Sequence, residues 1–315
     1  MTHLTLEPYL GKNPEAIPVS NSEISMFKEC RRKWWLTYYR GLTPKIPRFD
    51  GPLALGSRVH KALEIFYKTG LHPAQAYQEL YEADLKAAAS LGMDTEKLVK
   101  EGELGRIMME GYIEWLDETA NDADIVIESS EEKMSMPLFD GKVELRGKMD
   151  LRISRKTDDS AMFLDFKTLA SYETYEKIAH MAEQLKVYLL LEHVNKEKSR
   201  VAGAKYRLIK KVKRTEKAKP PFYKDLDIRH NKETLESFWL SLHGVVQNML
   251  DLRQQLDSGT DHRQAAYPTP TNDCTWKCPF FNVCPMFDDG SAAEDYLRDN
   301  FEVNDPYARY EEEEV

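Results

Sequence analysis

The sequence predicts an α/β fold with helical decoration, and three observations carry that expectation. Helical periodicity dominates residues 20–118, β-forming runs cluster between 124 and 168, and a strand, helix, strand order follows them. The elements can be justified in turn. Residues 1–19 hold three prolines and no clear period, which predicts a flexible start. "SNSEISMFKECRRKWWLTYY" (20–39) opens on Ser and Asn caps and reads as one helix. "LGSRVHKALEIFYKTG" (55–70) places Val59, Leu63 and Phe66 at helical spacing, with Gly70 as its stop. Residues 73–118 read as helical throughout, so about 71–120 is a helical insertion or N-terminal subdomain. "DIVIESSEEKMSMPLF" (124–139) alternates, "DG" at 140–141 marks a hairpin, and "KVELRGKMDLRIS" (142–154) continues as strand. "AMFLDFKT" (161–168) is a further strand, "YEKIAHMAEQLKVYLLLEHV" (175–194) a helix, and "RVAGAKYRLIKK" (200–211) a strand. "KETLESFWLSLHGVVQNMLDLRQQL" (232–256) is a long amphipathic helix.

The chain of 315 residues has a net charge of −9, and that charge is local. Residues 286–315 hold eleven Asp or Glu and two Arg, so the body is neutral and 288–315 reads as a solvated acidic tail. One domain is expected over 20–287. The apolar runs are far shorter than the roughly 20 residues that span a bilayer, and no signal-peptide pattern opens the chain, so an intracellular protein without a membrane partner is expected. Within the neutral body, "KYRLIKKVKRTEKAK" (205–219) carries eight Lys or Arg against one Glu. Its Lys210, Lys211, Lys213 and Arg214 are candidate phosphate contacts.

The stretch "FLDFKT" (163–168) raises the functional question. In a strand, Met162, Leu164 and Phe166 share one face and Phe163, Asp165 and Lys167 the other. Two charges side by side in an apolar strand form either an ion pair or a reactive site. Asp150, at the end of "RGKMD", supplies a second carboxylate, and His60 lies on an earlier helix. Two carboxylates, an imidazole and the carbonyl of Phe166 suit Mg²⁺ or Mn²⁺. Lys167 could then orient or deprotonate a water and stabilise the charge of a pentacovalent phosphorane, with Gln184 and Tyr188 one helical turn apart nearby. A structural alternative stands beside each: Asp150 can open a turn, and Gln184 with Tyr188 can be a surface pair.

Cys274, Cys278 and Cys284 fall within eleven residues, and Cys30 is the only other cysteine. Four thiolates fit either a 4Fe–4S cluster or a structural Zn²⁺, and such a site would staple the first helix to the C-terminal segment. "CRRKWWLTYYR" interleaves Arg31, Arg32 and Lys33 with Trp34 and further aromatics, a combination that tracks phosphates and stacks bases.

These residues resemble the PD-(D/E)XK nuclease superfamily, and within it the RecB-like branch whose members carry a four-cysteine iron–sulfur cluster. The resemblance runs from about Ser20 to Phe287. Gly56 and His60 match its first motif, Gly147 and Asp150 its GxxD strand, Asp165 and Lys167 its D-x-K strand, and Gln184 and Tyr188 its QxxxY helix. Cys30, Cys274, Cys278 and Cys284 match its one early and three late cysteines, with three residues instead of two between the first late pair. The resemblance implies a restriction-endonuclease-like central mixed sheet flanked by helices, and a structural cluster. It further implies Mg²⁺- or Mn²⁺-dependent exonucleolytic hydrolysis of single-stranded or free-ended DNA, in recombination, repair or end processing. The alternative is a catalytically silent DNA-binding or scaffolding protein of the same fold. A helicase or recombination partner is compatible with the nuclease reading, because the chain has no P-loop. An oligomer is likewise compatible, since a ring would enforce processive digestion.

Overall fold

A computed structural model describes residues 16–196 and 200–310. Along the chain these form β1 (Ile17–Ser20), α1 (Asn21–Glu29), α2 (Arg31–Trp34), a π-helical turn (Trp35–Tyr39) and β2 (Leu42–Pro44). Then come α3 (Gly51–Thr69), α4 (Pro73–Ser90), α5 (Glu96–Thr119), β3 (Ile125–Leu138), β4 (Val143–Arg155) and β5 (Ala161–Leu169). α6 (Glu173–Ile178), α7 (Glu183–Asn195), β6 (Val201–Lys210), β7 (Tyr223–Ile228) and α8 (Lys232–Asp257) follow. Last are α9 (His262–Ala265), α10 (Cys274–Lys277), α11 (Ala293–Asn300) and β8 (Phe301–Val303). The result is a mixed α/β fold with a central mixed sheet flanked by helices, as the sequence predicts.

Contacts group the chain into two compact units. The first holds Arg48–Met134 and Lys148–Asn231, and the second the described residues of Thr2–Pro47, Ser135–Gly147 and Lys232–Val315.

In the first unit β4 and β5 are antiparallel, β5 and β6 parallel, and β6 and β7 antiparallel, while β3 pairs with β4. The parallel step from β5 to β6 runs through α6 and α7, a βαβ crossover. β5 is buried on both faces, which is why its sequence is nearly continuous in apolar residues. Leu164 and Phe166 join Leu151 and Ile153 in a core with Leu55, Val59 and Leu63 of α3 and Met108, Met109 and Tyr112 of α5. On the opposite face, the Phe163 ring meets Tyr188 of α7 at 6.3 Å. The stretch that reads as helical over 73–118 folds as two helices, α4 and α5, which approach closely because Gly105 leaves room for the Tyr77 ring; a Cβ there would clash with it.

A second buried feature of this unit is Arg207 of β6, fully enclosed. Its guanidinium pairs with Asp225 at 2.8 and 2.9 Å, lies 2.9 Å from Asp122, and donates to the hydroxyls of Tyr67 and Tyr112 at 3.0 and 2.9 Å. The basic run at 205–219 is therefore not a uniform solvated face: Arg207 is inside it, and β7 follows it as a strand with no strong local signal.

The second unit pairs β1 in parallel with Val143–Arg146 of β4, and β2 antiparallel with β8. The helix expected over 20–39 breaks at Cys30, whose extended backbone ends α1 before α2 begins. The start is not loose throughout: residues 17–19 belong to β1, while 1–15 lie outside the described residues. The acidic tail also packs in its described part. Ala293, Leu297, Phe301 and Tyr307 are buried, and Phe301 stacks on Phe280 at 4.9 Å. Averaging charge over the segment hid these four anchors, because the carboxylates occupy the positions between them. Residues 311–315 lie outside the described residues. Among the described residues no helix is long and apolar enough to cross a membrane.

Candidate active site

β5 brings Asp165 and Lys167 onto one face, as alternation requires, and the two form an ion pair. Asp165 is only 1% exposed. The helix expected over 175–194 is interrupted: after α6 and a short 3₁₀ turn the chain turns at Ala182 (ψ 133°), and α7 begins at Glu183. That break sets Gln184 and Tyr188, one turn apart, against β5. The Gln184 amide donates to Asp165 Oδ1 and to the Tyr188 hydroxyl, both at 2.8 Å. Its carbonyl accepts from Lys167 Nζ at 2.9 Å. Tyr188 in turn donates to the Lys148 carbonyl on β4 at 2.9 Å. A single glutamine thus orients both members of the D-x-K pair, because its amide offers a donor and an acceptor at once.

Asp150 completes the carboxylate pair from β4. Its Oδ2 accepts the Phe166 amide N–H at 2.9 Å and lies 3.3 Å from His60 Nδ1. His60 is about a third exposed and meets the Phe166 ring edge-on at 6.1 Å. α3 can bring His60 so near because Gly56 faces β5: a Cβ there would sit 3.2 Å from Thr168 Oγ1. His60 with Asp150, and Asp165 with Lys167, Gln184 and Tyr188, thus form two contact groups within one unit, linked by the bond from the Phe166 N–H to Asp150.

Electrostatics follow from burial and pairing. Burial raises the Asp165 carboxyl pKa, and Lys167 offsets only part of that. Burial acts against the Lys167 ammonium, but Asp165, with Tyr175 and Asp150, outweighs it and the net shift is upward. For Asp150 the burial cost is overcome by His60, which lowers its pKa; for His60 it is overcome by Asp150, which raises it.

Among the described residues no three His, Cys, Asp or Glu side chains converge as a ready metal site. Each carboxylate instead faces an internal basic side chain, Asp150 facing His60 and Asp165 facing Lys167. The buried Asp165 Oδ2 has no hydrogen-bond donor of good geometry. Two carboxylates and an imidazole remain the donor set that a hard divalent ion takes.

The four cysteines lie in the second unit, all free and half-buried. Cys30 Sγ accepts from the Thr269 N–H and Cys274 Sγ from the Thr271 N–H, both at 3.4 Å. Burial raises the thiol pKa values of Cys278 and Cys284. Two of the expected DNA contacts are corrected here. Arg32 is 1% exposed, held by Asp288 at 2.6 and 2.9 Å and by the Cys284 carbonyl at 3.0 Å. Trp34 is fully buried and donates to Glu23 at 2.8 Å. Arg32 thereby supports the cysteine segment from inside, while Trp34 packs edge-on against Phe27 at 5.3 Å. Arg31 lies over the rings of Phe27 and Tyr267, and Lys33 is 3.4 Å from Glu29. Arg214 is stacked at 3.7 Å on Phe222, and Lys213 pairs with Glu103. Lys210 lies 5.9 Å from the Tyr172 ring, and burial lowers the Lys211 pKa.

Sequence reading missed Glu131 and Tyr206. Glu131 has φ +58° inside β3 and pairs with Lys148. Tyr206 lies opposite Asp165 in the β5–β6 pairing, and only that register reveals it.

A carboxylate from one strand, a D-x-K pair on the next, and a Gln/Tyr helix that orients the pair thus lie together in the first unit. The sequence profile of the PD-(D/E)XK nuclease superfamily matches residues 18–285, and the chain belongs to that superfamily. Its members generally use divalent metals such as Mg²⁺. A search of curated proteins yields no match. Among solved structures, one described as "Putative exonuclease" from Eubacterium rectale is 14% identical, with a TM-score of 0.44 over 78% of this chain and 83% of that one. A second, SSO0001, is 16% identical, with a TM-score of 0.30 over 66% of this chain and 80% of that one.

Proposed function

We propose that the protein is a metal-dependent exonuclease that hydrolyses phosphodiester bonds in single-stranded or free-ended DNA, in recombination, repair or end processing. The observation that carries this reading is the linkage of both carboxylates, Lys167 and His60 around the end of β5. A structural ion pair would need only Asp165 and Lys167. It would not need Gln184 spanning them, nor a second carboxylate beside an accessible histidine. Asp150, Asp165, His60 and the Phe166 carbonyl would hold Mg²⁺ or Mn²⁺, which when bound supplies Lewis acidity to water and phosphate. Lys167 holds its ammonium where it can orient the attacking water and offset charge on the phosphoryl oxygens, and Gln184 fixes that position. Tyr188 anchors Gln184 to β4. Arg31, Lys33, Lys210, Lys211, Lys213 and Arg214 are the candidate phosphate contacts that retain some exposure.

The test is digestion of single-stranded DNA labelled separately at each end, with Mn²⁺ and with chelator. Stepwise loss from one labelled end, abolished by chelator, is expected and fixes the polarity. An intact substrate with folded, metal-loaded protein would favour the catalytically silent DNA-binding alternative.

Metal affinity should also rise with pH. A metal-ligating histidine must shed its proton, and Asp150 raises the His60 pKa, so a proton competes with the metal below that raised pKa. Calorimetry of Mn²⁺ binding in two buffers of different ionisation enthalpy should show release of about one proton below that raised pKa. The His60–Asp150 contribution to stability has the matching sign: it is present below the unfolded histidine pKa and lost as pH rises through the folded one. Binding that is independent of pH would remove His60 from the ligand set.

For the four cysteines we assign a structural 4Fe–4S cluster, with Zn²⁺ as the alternative. The N–H groups of Thr269 and Thr271 aimed at sulfur, and Arg32 at 3.9 Å from Cys284 Sγ, suit thiolates that carry charge. Anaerobically purified protein is expected to be brown, and Cys278→Ser to lose both colour and stability. A colourless protein with one zinc per chain decides for the alternative, and an equally stable Cys278→Ser variant would remove the structural role.

A further inference from the structure

Lys167 is held by more than its charge partner. In the parallel pairing of β5 with β6, Tyr206 lies opposite Asp165, so its ring stands on the sheet face that carries Asp165 and Lys167. Lys167 Nζ lies 5.5 Å from the centre of that ring. Tyr175 of α6 meets Tyr206 edge-on, with centroids 5.3 Å apart and planes at 81°. Tyr206 is fully buried, and its hydroxyl has Tyr175 as polar neighbour without a hydrogen bond of good geometry. An aromatic face is what a desolvated ammonium can use.

We propose that Tyr206 is a positioning residue for Lys167, its ring face holding the ammonium against Asp165 and Gln184 while Tyr175 braces the ring. The proposal rests on the nuclease reading of the same site. Lysine carries a compact charge on a flexible four-carbon stem, and Asp165 and Gln184 restrain that charge without enclosing it. With the ring gone, the ammonium spends less time at the point where it acts on the water, and the rate falls. Substrate binding is unaffected, because Tyr206 is buried and touches no substrate.

The experiment compares wild type, Tyr206→Phe and Tyr206→Met in cleavage of end-labelled DNA and in urea unfolding. Tyr206→Phe keeps the ring and should retain kcat. Tyr206→Met keeps the bulk and should lower kcat about tenfold with KM unchanged. A Met variant as fast as wild type overturns the proposal, and so does a Phe variant as slow as the Met variant, which would assign the effect to the hydroxyl. If Tyr206→Met does not fold, Tyr175→Leu on α6 should give a smaller loss of the same kind, and an unchanged kcat there has the same adverse meaning. A second readout needs no catalysis: the Lys167 ε-methylene protons should be displaced upfield by the ring in wild type and Tyr206→Phe, and return to ordinary values in Tyr206→Met. An undisplaced wild-type signal overturns the positioning role whatever the activity. A displaced signal in a protein that cleaves no DNA counts against the nuclease reading alone.

Discussion

Lys167→Ala and Asp165→Asn are each expected to lower DNA cleavage by about 10³-fold or more while leaving the fold intact. Each removes one side of the pair that Gln184 spans, so the losses should not add: the double variant should be about as slow as either single one. The two differ in what they leave behind. Asp165→Asn leaves the Lys167 ammonium buried beside a neutral amide. Lys167→Ala leaves the Asp165 carboxylate buried without its cation, and that carboxyl pKa, already raised by burial, rises further. A carboxyl group whose folded pKa is raised contributes stability below its unfolded pKa and loses it as pH rises through the folded one. The stability deficit of Lys167→Ala should therefore shrink as pH falls from roughly 8 to 5, which urea unfolding at several pH values measures. Cleavage by either variant within tenfold of wild type would sink the assigned site.

Arg207→Met is expected to destabilise the first unit by about 3–5 kcal/mol, because it strips the cation from a buried cluster, leaving Asp122 without one and Asp225 with only Lys205 at 3.3 Å. The Tyr67 and Tyr112 hydroxyls lose the same donor, which adds to the effect. Adding Asp225→Leu to Arg207→Met should recover only part of the loss, since the apolar pair carries no desolvation cost while Asp122 still lacks its cation. Denaturant unfolding of the single and double variants measures this. A single variant as stable as wild type would show that the cluster is not held by charge pairing. The position also bears on reading basic runs: of the eight Lys and Arg in 205–219, Arg207 is buried, and only register and packing distinguish it from its exposed neighbours.

The candidate site was largely legible because its motifs are local and periodic. Alternation alone places Asp165 and Lys167 on one face of β5, and helical spacing alone places Gln184 with Tyr188 on one face of α7. What the sequence could not state is that Gln184 hydrogen-bonds both charges, since that depends on the chain break at Ala182 and on the packing of α7 against β5. The aromatic and basic mixture at 31–40 misled for a related reason. Composition is the same for a DNA-tracking surface and for a buried scaffold, and only the partners of Arg32 and Trp34, Asp288 and Glu23, distinguish them.

By itself the sequence determined the α/β class and the main helices and strands, and it singled out the residues of the candidate D…D-x-K site with its histidine and its Gln/Tyr helix. Each of these is written in short-range periodicity or in the chemistry of a few adjacent side chains. The tertiary structure decided the grouping into two units, the pairing of β2 with β8, the packing of Ala293–Tyr307, the burial of Arg207 and the position of Tyr206 beside Lys167. Those depend on contacts between residues distant in the chain, whose free energy comes from desolvation and pairing at the contact itself and leaves no periodic trace in either partner's own stretch of sequence.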